Sequence, residues 1–215
     1  IPCTTVVSSD LTMTETEVIN QLKRYKDEYG WEIGAHGKNN SNAGHASLTV
    51  EEEKHAISTC LKSFDCALEQ SMTWLTPGFS VTNETPRLLI DAGIHTLLDF
   101  VDDDVPYELV KVDDTSASIL CLPYSMETND FSLILTRQLS PREYATALES
   151  HILQLARESR VGGMPTVVCL GMHTFVAGVP AVVHELDKIL MRLKNAENVT
   201  FATAAEVHAA VHMGS

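Results

Sequence analysis

Helix-start signals that alternate with short apolar runs are the feature that most limits how this chain can fold. Four segments carry a Ser or Thr followed three residues later by Glu, the pattern of a capping box. They are Thr14/Glu17, Thr49/Glu52, Ser140/Glu143 and Thr203/Glu206. Gly30 supplies a left-handed stop after the first of these helices. Two further helices are predicted, one from Thr85 and Pro86 to Gly93 and one from about Pro180.

Apolar runs of strand length lie between these helices. They fall around residues 4–8, 31–35, 72–76, 95–100, 117–122, 166–171 and 199–202. Strands that alternate with helices are joined by helical crossovers and pair in parallel, which predicts an α/β architecture. Seven such strands favour a distorted, TIM-barrel-like (β/α) barrel, and a doubly wound open sheet is the alternative. No repeat or linker divides the chain, so residues 1–215 are predicted to form a single domain.

Charge and composition argue against several kinds of partner. The 215 residues include 15 Lys+Arg against 29 Asp+Glu, which gives a formal net charge of -14. Nucleic acids and anionic membrane surfaces are held by clustered basic side chains, so neither is expected as a partner. No apolar run approaches the roughly 20 residues that cross a bilayer. The five cysteines are odd in number and lie mostly in apolar segments, which favours free thiols in a reducing cytoplasm.

Polar side chains follow nearly every predicted strand. In a parallel barrel the loops after the strands gather at one face, so we expect these side chains to converge there. They are Asp10, His36, Asn39, Asn40, Thr76, Asp99, Asp102, Asp103, Asp104, Tyr124, Ser125, Glu127, Asp130 and His173. Two histidines with several carboxylates can supply a general acid, a general base and metal ligands for hydrolysis. The run of three aspartates is equally typical of a solvated acidic turn.

Several segments resemble one known family. Residues 30–37 read Gly-Trp-Glu-Ile-Gly-Ala-His-Gly. They resemble the second motif of the polysaccharide deacetylase (NodB-homology) family, Gly-x-Glu-Ile-Gly-x-His. Other segments are similar to its allantoinase-like, cyclic-imide-hydrolase-like branch. These are residues 74–78, 82–89, 91–93, 99–107, 123–130, 172–173, 178–180 and 201–206.

The resemblance implies a hydrolase that acts on a carbon–nitrogen bond other than a peptide bond. The reaction is either ring opening of a cyclic amide or imide such as allantoin, or removal of an N-acetyl group from a sugar. By the same resemblance His36 is a metal ligand or active-site residue, and His173 is a catalytic acid or oxyanion partner. The candidate catalytic residues are His36, His173, Asp103 and Glu127. The candidate substrate-binding residues are Asn40, Pro77, Gly78, Asp102, Tyr107 and Tyr124.

Two departures from the family pattern bear on the mechanism. The family's first motif, Thr-Phe-Asp-Asp-Gly, holds the catalytic base and a metal-binding aspartate, and the sequence contains no such segment. We therefore expect an N-terminally incomplete domain whose missing segment could come from a separate polypeptide. The second departure is Asn40, which stands where the family's metal motif has a second histidine, with His45 as the alternative ligand. Whether a Zn²⁺ ion bound by His36 or no cofactor serves the reaction stays open.

The expected partners are a small-molecule or saccharide substrate and further copies of the chain in a homo-oligomer. A catalytically silent barrel of the same family, which acts as a binding or structural domain, is the alternative to an enzyme.

Overall fold

The computed structural model describes residues 1–42, 47–69 and 71–213, and its contacts divide the chain into two compact units. The first unit comprises Ile1–Phe100, Tyr107–Leu122 and Ala202–Ser215, and the second comprises Val101–Pro106 and Pro123–Phe201. His45, the alternative metal ligand, lies outside the described residues. No helix within the described ranges is long and apolar enough to cross a membrane.

The strands and helices follow one another in the alternation that the sequence predicts. The strands are β1 (Thr4–Val7), β2 (Glu32–Ala35), β3 (Thr73–Trp74), β4 (Thr96–Leu97), β5 (Tyr107–Val110) and β6 (Ser118–Cys121). The helices are α1 (Ser9–Thr14), α2 (Thr16–Tyr29), α3 (Val50–Leu68), α4 (Thr85–Asp91), α5 (Pro141–Gly162), α6 (Thr174–Ala177), α7 (Pro180–Lys194) and α8 (Ala204–Met213).

All the strands belong to the first unit, where they form a six-stranded sheet in the order β1-β2-β3-β4-β6-β5. The pairs from β1 to β6 are parallel, and β5 pairs with β6 in the antiparallel sense. The register places Ala35, at the end of β2, beside Val7 of β1 and Trp74 of β3. This mostly parallel sheet with crossover helices confirms the predicted α/β class.

Fully buried side chains from the sheet and from α3 and α4 form the core of the first unit. Trp74, Leu97 and Ile119 come from the strands, and Ile57 and Leu89 come from the helices. Strands that are covered by helices are more continuously apolar than strands with one solvated face, and this explains why short apolar runs marked the strands in the sequence. The core fixes the ends of the strands from which the polar loops emerge.

A second core lies between α5 and α7 in the second unit. Tyr144 and Leu148 of α5 pack with Leu186 and Ile189 of α7. Val182 is buried on α7 with them, whereas Val183 is exposed. These helices support the segments that carry Asp130 and His173.

Three of the four predicted capping boxes are present, at Thr49/Glu52, Ser140/Glu143 and Thr203/Glu206. The box at Thr14/Glu17 is wrong. The Thr14 hydroxyl donates to the Asp10 carbonyl oxygen at the end of the unpredicted helix α1, so it cannot cap α2.

Two predicted strands are also wrong. Residues 166–171 and 199–202 form no strand. The backbone of residues 166–171 makes isolated hydrogen bonds, such as Val167 N to Asp104 O, rather than a ladder. The antiparallel strand β5 was not predicted, because it follows an acidic run and only one of its faces is half-buried.

Candidate active site

A buried carboxylate holds the late histidine in one orientation. His173 occupies the N-cap position of α6, and Asp130 is 0% exposed. The Nδ1–H of His173 donates to Asp130 Oδ1 at 2.6 Å, and the backbone N–H of His173 donates to Asp130 Oδ2 at 2.7 Å. The backbone N–H of Asp130 donates in turn to Gly171 O at 2.9 Å. These three hydrogen bonds fix the imidazole relative to its own loop.

The other ring nitrogen of His173 faces outward. The side chain is 35% exposed, and nothing in the described ranges hydrogen-bonds Nε2. Because a carboxylate only accepts hydrogen bonds, the Nδ1 proton stays on His173 and the Nε2 lone pair is left for a reactant. A histidine oriented in this way by a buried carboxylate can accept a proton and return it to a leaving group.

Tyr124 lies beside this His173–Asp130 pair. Asn129 Nδ2 donates to the Tyr124 hydroxyl oxygen at 3.1 Å, and Asn129 Oδ1 accepts from Ser132 N at 3.0 Å. A Cβ atom at Gly171 would lie 2.5 Å from that hydroxyl, so any larger residue there would have to displace the Tyr124 ring. Burial is the main cause that raises the pKa of Tyr124, and the nearby Asp130 charge adds to it. Tyr124 therefore remains protonated and neutral.

An acidic pocket of about 300 Å³ brings together four predicted residues of the second unit. It is lined by Val101, Asp102, Asp103, Asp104, Tyr124, Ser125 and Glu127. The Ser125 hydroxyl donates to Glu127 at 2.9 Å, and this bond is the main cause that lowers the pKa of Glu127. Asp103 Oδ1 accepts from the backbone N–H groups of the next two residues at 2.7 and 3.2 Å. The carboxylates are thus ordered hydrogen-bond acceptors.

In the first unit, His36 follows β2 directly and is half-buried. Its Nδ1 donates to Leu75 O at 2.7 Å, and its Nε2 lies 2.9 Å from Asn40 Oδ1. The Gly37 carbonyl oxygen accepts from Ser9 N at 2.9 Å and from Cys60 Sγ at 3.1 Å, so helices α1 and α3 brace the loop. The predicted neighbours His36 and Asn40 therefore do meet.

The loop after β3 carries the predicted Pro77 and Gly78 and rests on a buried carboxylate. Pro77 opens a short turn, Pro77–Phe79, in which Gly78 has a φ of 62°. Just before it, the Thr76 N–H and hydroxyl both donate to Asp99 at 2.7 Å. Burial raises the pKa of Asp99 to about 6, although both of these bonds favour its ionised form. Tyr107, the remaining predicted residue, begins β5.

The motif glutamate, Glu32, is at the start of β2 rather than at the end that carries His36. Its Oε2 accepts from the Thr4 hydroxyl at 2.8 Å and from Ala205 N at 2.9 Å, and its Oε1 accepts from the Thr73 hydroxyl. Glu32 thereby joins β1, β2, β3 and α8. This part of the matched motif stabilises the first unit.

The described residues around His36 do not fit a three-ligand Zn²⁺ site. An amide oxygen faces Nε2 of His36, and an amide is a poor zinc ligand beside imidazole. Within the described ranges, no group of three His, Cys, Asp or Glu side chains is arranged to hold a metal ion.

The ten predicted site residues divide equally between the units. His36, Asn40, Pro77, Gly78 and Tyr107 belong to the first, and Asp102, Asp103, Tyr124, Glu127 and His173 belong to the second. That all ten residues converge at one face stays a prediction. Asp130 was expected among the polar residues after the strands but not as a catalytic or binding residue, although it is the carboxylate that holds His173 and ends the matched stretch 123–130.

Solved structures with this fold include two hydrolases. Puue Allantoinase matches with a TM-score of 0.84 and 21% identity, over 99% of this chain and 68% of that chain. A probable polysaccharide deacetylase from Pseudomonas aeruginosa PAO1 matches with a TM-score of 0.84 and 20% identity, over 99% and 68%. A mutant of a CE4 family pseudoenzyme matches with a TM-score of 0.60 and 11% identity, over 97% and 57%.

No family model matches the sequence, and no curated protein matches it. The fold shared with the allantoinase and the probable polysaccharide deacetylase confirms the resemblance to the polysaccharide deacetylase family at the level of the fold.

Proposed function

We propose that this protein hydrolyses a carbon–nitrogen bond, other than a peptide bond, in a small cyclic amide or imide. The observation that carries the proposal is the His173–Asp130 pair, in which a buried carboxylate orients a part-exposed imidazole whose Nε2 has no partner among the described residues. The shared fold with an allantoinase and a probable polysaccharide deacetylase supports this class of bond.

In the proposed reaction His173 moves one proton. Its Nε2 takes the proton from a water molecule as the water oxygen adds to the amide carbon. The carbon–nitrogen bond then breaks, and Nε2 returns the proton to the leaving nitrogen. Asp130 stabilises the transient imidazolium and keeps Nε2 directed at the reactant. The balance is one water consumed and one amide bond opened.

The acidic pocket supports a substrate rich in N–H groups. Its carboxylates can accept hydrogen bonds from ring N–H groups, and they repel an anionic ligand. A neutral cyclic amide or ureide meets both requirements. Asp102, Asp103 and Tyr124 are accordingly proposed to bind substrate, and Glu127 to accept from it.

His36 is proposed as a second catalytic residue. Its Nδ1 is held by the Leu75 carbonyl, which leaves Nε2 as the nitrogen that can act on a reactant once the Asn40 amide turns away. His36→Ala is therefore expected to lower turnover, whereas the exposed His55→Ala, on α3 in the same unit, leaves it unchanged.

Mass spectrometry of reaction products tests the proposal. The chain is incubated with allantoin, succinimide and an N-acetylated chitooligosaccharide, each with and without a chelator. We expect ring substrates to gain one water with or without chelator, and His173→Ala to abolish the gain. His184→Ala, an exposed histidine on α7, is the matched control. Acetyl loss that the chelator blocks would instead indicate a metal-dependent sugar deacetylase.

A catalytically silent binding domain is the second candidate. The observation that favours it is the Asn40 amide at Nε2 of His36, where the family pattern has a metal-binding histidine. Binding of a ring amide without turnover would support this candidate and refute the enzyme.

A further inference from the structure

Two phenyl rings flank the imidazole of His173. The ring centroid of Phe131 lies 5.9 Å from that of His173, and the centroid of Phe175 lies 5.6 Å from it on a tilted, edge-like approach. Phe131 directly follows Asp130, and Phe175 comes two residues after His173. The chain segments that build the His173–Asp130 pair therefore also place these rings.

Both phenyl rings are unusually open to solvent. Phe131 is 47% exposed and Phe175 is 65% exposed, and Met172, which precedes His173 in the sequence, is 40% exposed. Exposed apolar area is common on proteins, but several large apolar side chains around a polar reactive group are typical of a ligand site. A ligand that covers these rings would remove their area from water.

We propose that Phe131 and Phe175 form the wall that receives a flat apolar ring of the substrate. The inference rests on the proposed hydrolysis at His173 and specifies its substrate class: ring amides that carry an aromatic or large apolar group. The opened amide lies at Nε2 of His173, while the apolar group stacks against the phenyl rings.

The first test compares two ring amides that differ by one phenyl group. For the wild-type chain we expect kcat/KM with 5-phenylhydantoin to exceed that with hydantoin by about tenfold or more. Phe131→Ala and Phe175→Ala should each reduce this ratio toward one, mainly by raising KM for the phenyl compound. Leu135→Ala is the matched control. Leu135 is 47% exposed and lies with Phe131 in the short helical segment Phe131–Thr136. It should keep the wild-type ratio.

The second test measures binding without turnover. The probe is 1-indanone, a flat ring ketone that has no amide bond, and the signal is the His173 imidazole resonance, assigned from His173→Ala. We expect the probe to shift this resonance in the wild type and in Leu135→Ala. Phe175→Ala should weaken the apparent Kd about tenfold.

The two tests separate the inference from the proposed function. If probe binding weakens in Phe175→Ala but no ring amide is hydrolysed, the apolar wall of Phe131 and Phe175 is supported and the proposed hydrolysis is refuted. If ring amides are hydrolysed with the same phenyl preference in the wild type and in both Phe variants, the proposed hydrolysis is supported and the apolar wall is refuted. Neither binding nor hydrolysis would overturn both.

Discussion

Asp99→Asn should remove the contribution that titration of Asp99 makes to the pH dependence of the free energy of unfolding. In the folded chain burial raises the pKa of Asp99 from the ordinary 3.8 to about 6. The folded state therefore binds the Asp99 proton more tightly than the unfolded state does. This contribution to the free energy of unfolding is present below about pH 4 and is lost as the pH rises through about 6.

The size of the effect follows from the shift. A difference of about two pKa units corresponds to about 3 kcal/mol in full, and roughly 1.4 kcal/mol of it falls between pH 5 and pH 8. An amide at this position can still accept from the Thr76 N–H but does not titrate. Relative to the wild type, Asp99→Asn should thus gain stability by about 1.4 kcal/mol between pH 5 and pH 8.

Urea denaturation of both proteins across this pH range measures the difference. Asp113→Asn, an exposed carboxylate of the same unit, controls for the loss of one negative charge. A stability difference between Asp99→Asn and the wild type that stays flat with pH, or that grows toward acid pH in favour of the variant, would refute the reasoning.

Three further substitutions have expected effects on the free energy of unfolding, each measured by urea denaturation. Glu32→Ala removes the acceptor of two hydroxyls and of one backbone N–H of α8, and should cost about 2–4 kcal/mol; a cost under about 0.5 kcal/mol would contradict this role. Gly171→Ala drives a Cβ atom against the Tyr124 hydroxyl and should cost about 1–3 kcal/mol. Tyr144→Phe removes a buried hydroxyl that has no hydrogen-bond partner in the described part of the chain, so stability should hold or rise by about 1 kcal/mol. A clear loss would instead reveal a partner for Tyr144.

Local signals predicted much of the fold because they act within a few residues. The capping boxes at Thr49 and Ser140 are satisfied within one turn, and five of the seven apolar runs contain a strand. The capping box predicted at Thr14 is absent because the Thr14 hydroxyl instead donates to the Asp10 carbonyl oxygen at the end of α1. The strand predicted at residues 166–171 is absent because an apolar run of strand length forms a strand only when a neighbouring backbone pairs with it.

The candidate site was predictable only in part, since it depends on contacts between distant segments. His173 was evident from the resemblance, but its partner Asp130 is 43 residues away in the sequence. Asp99 followed a strand like several other carboxylates, and only its burial distinguishes it. The flanking Phe131 and Phe175 carried no signal at all, because single aromatic residues are more often part of a core.

The tautomer of His173 is the physical link between the Asp130 contact and the proposed reaction. In Asp130→Asn, the side-chain NH₂ group would donate to Nδ1 and place the imidazole proton on Nε2. Nε2 could then no longer accept a proton from water. The ¹⁵N shifts of the imidazole report which nitrogen carries the proton, independently of turnover.

The most direct measurement is kcat for a ring amide in the wild type, in Asp130→Asn and in the control His184→Ala, each with its imidazole ¹⁵N shifts. The account predicts that Asp130→Asn moves the proton to Nε2 and lowers kcat by about 10²–10⁴-fold, while the control retains wild-type turnover. Wild-type turnover in Asp130→Asn, with the proton shown on Nε2, would contradict it.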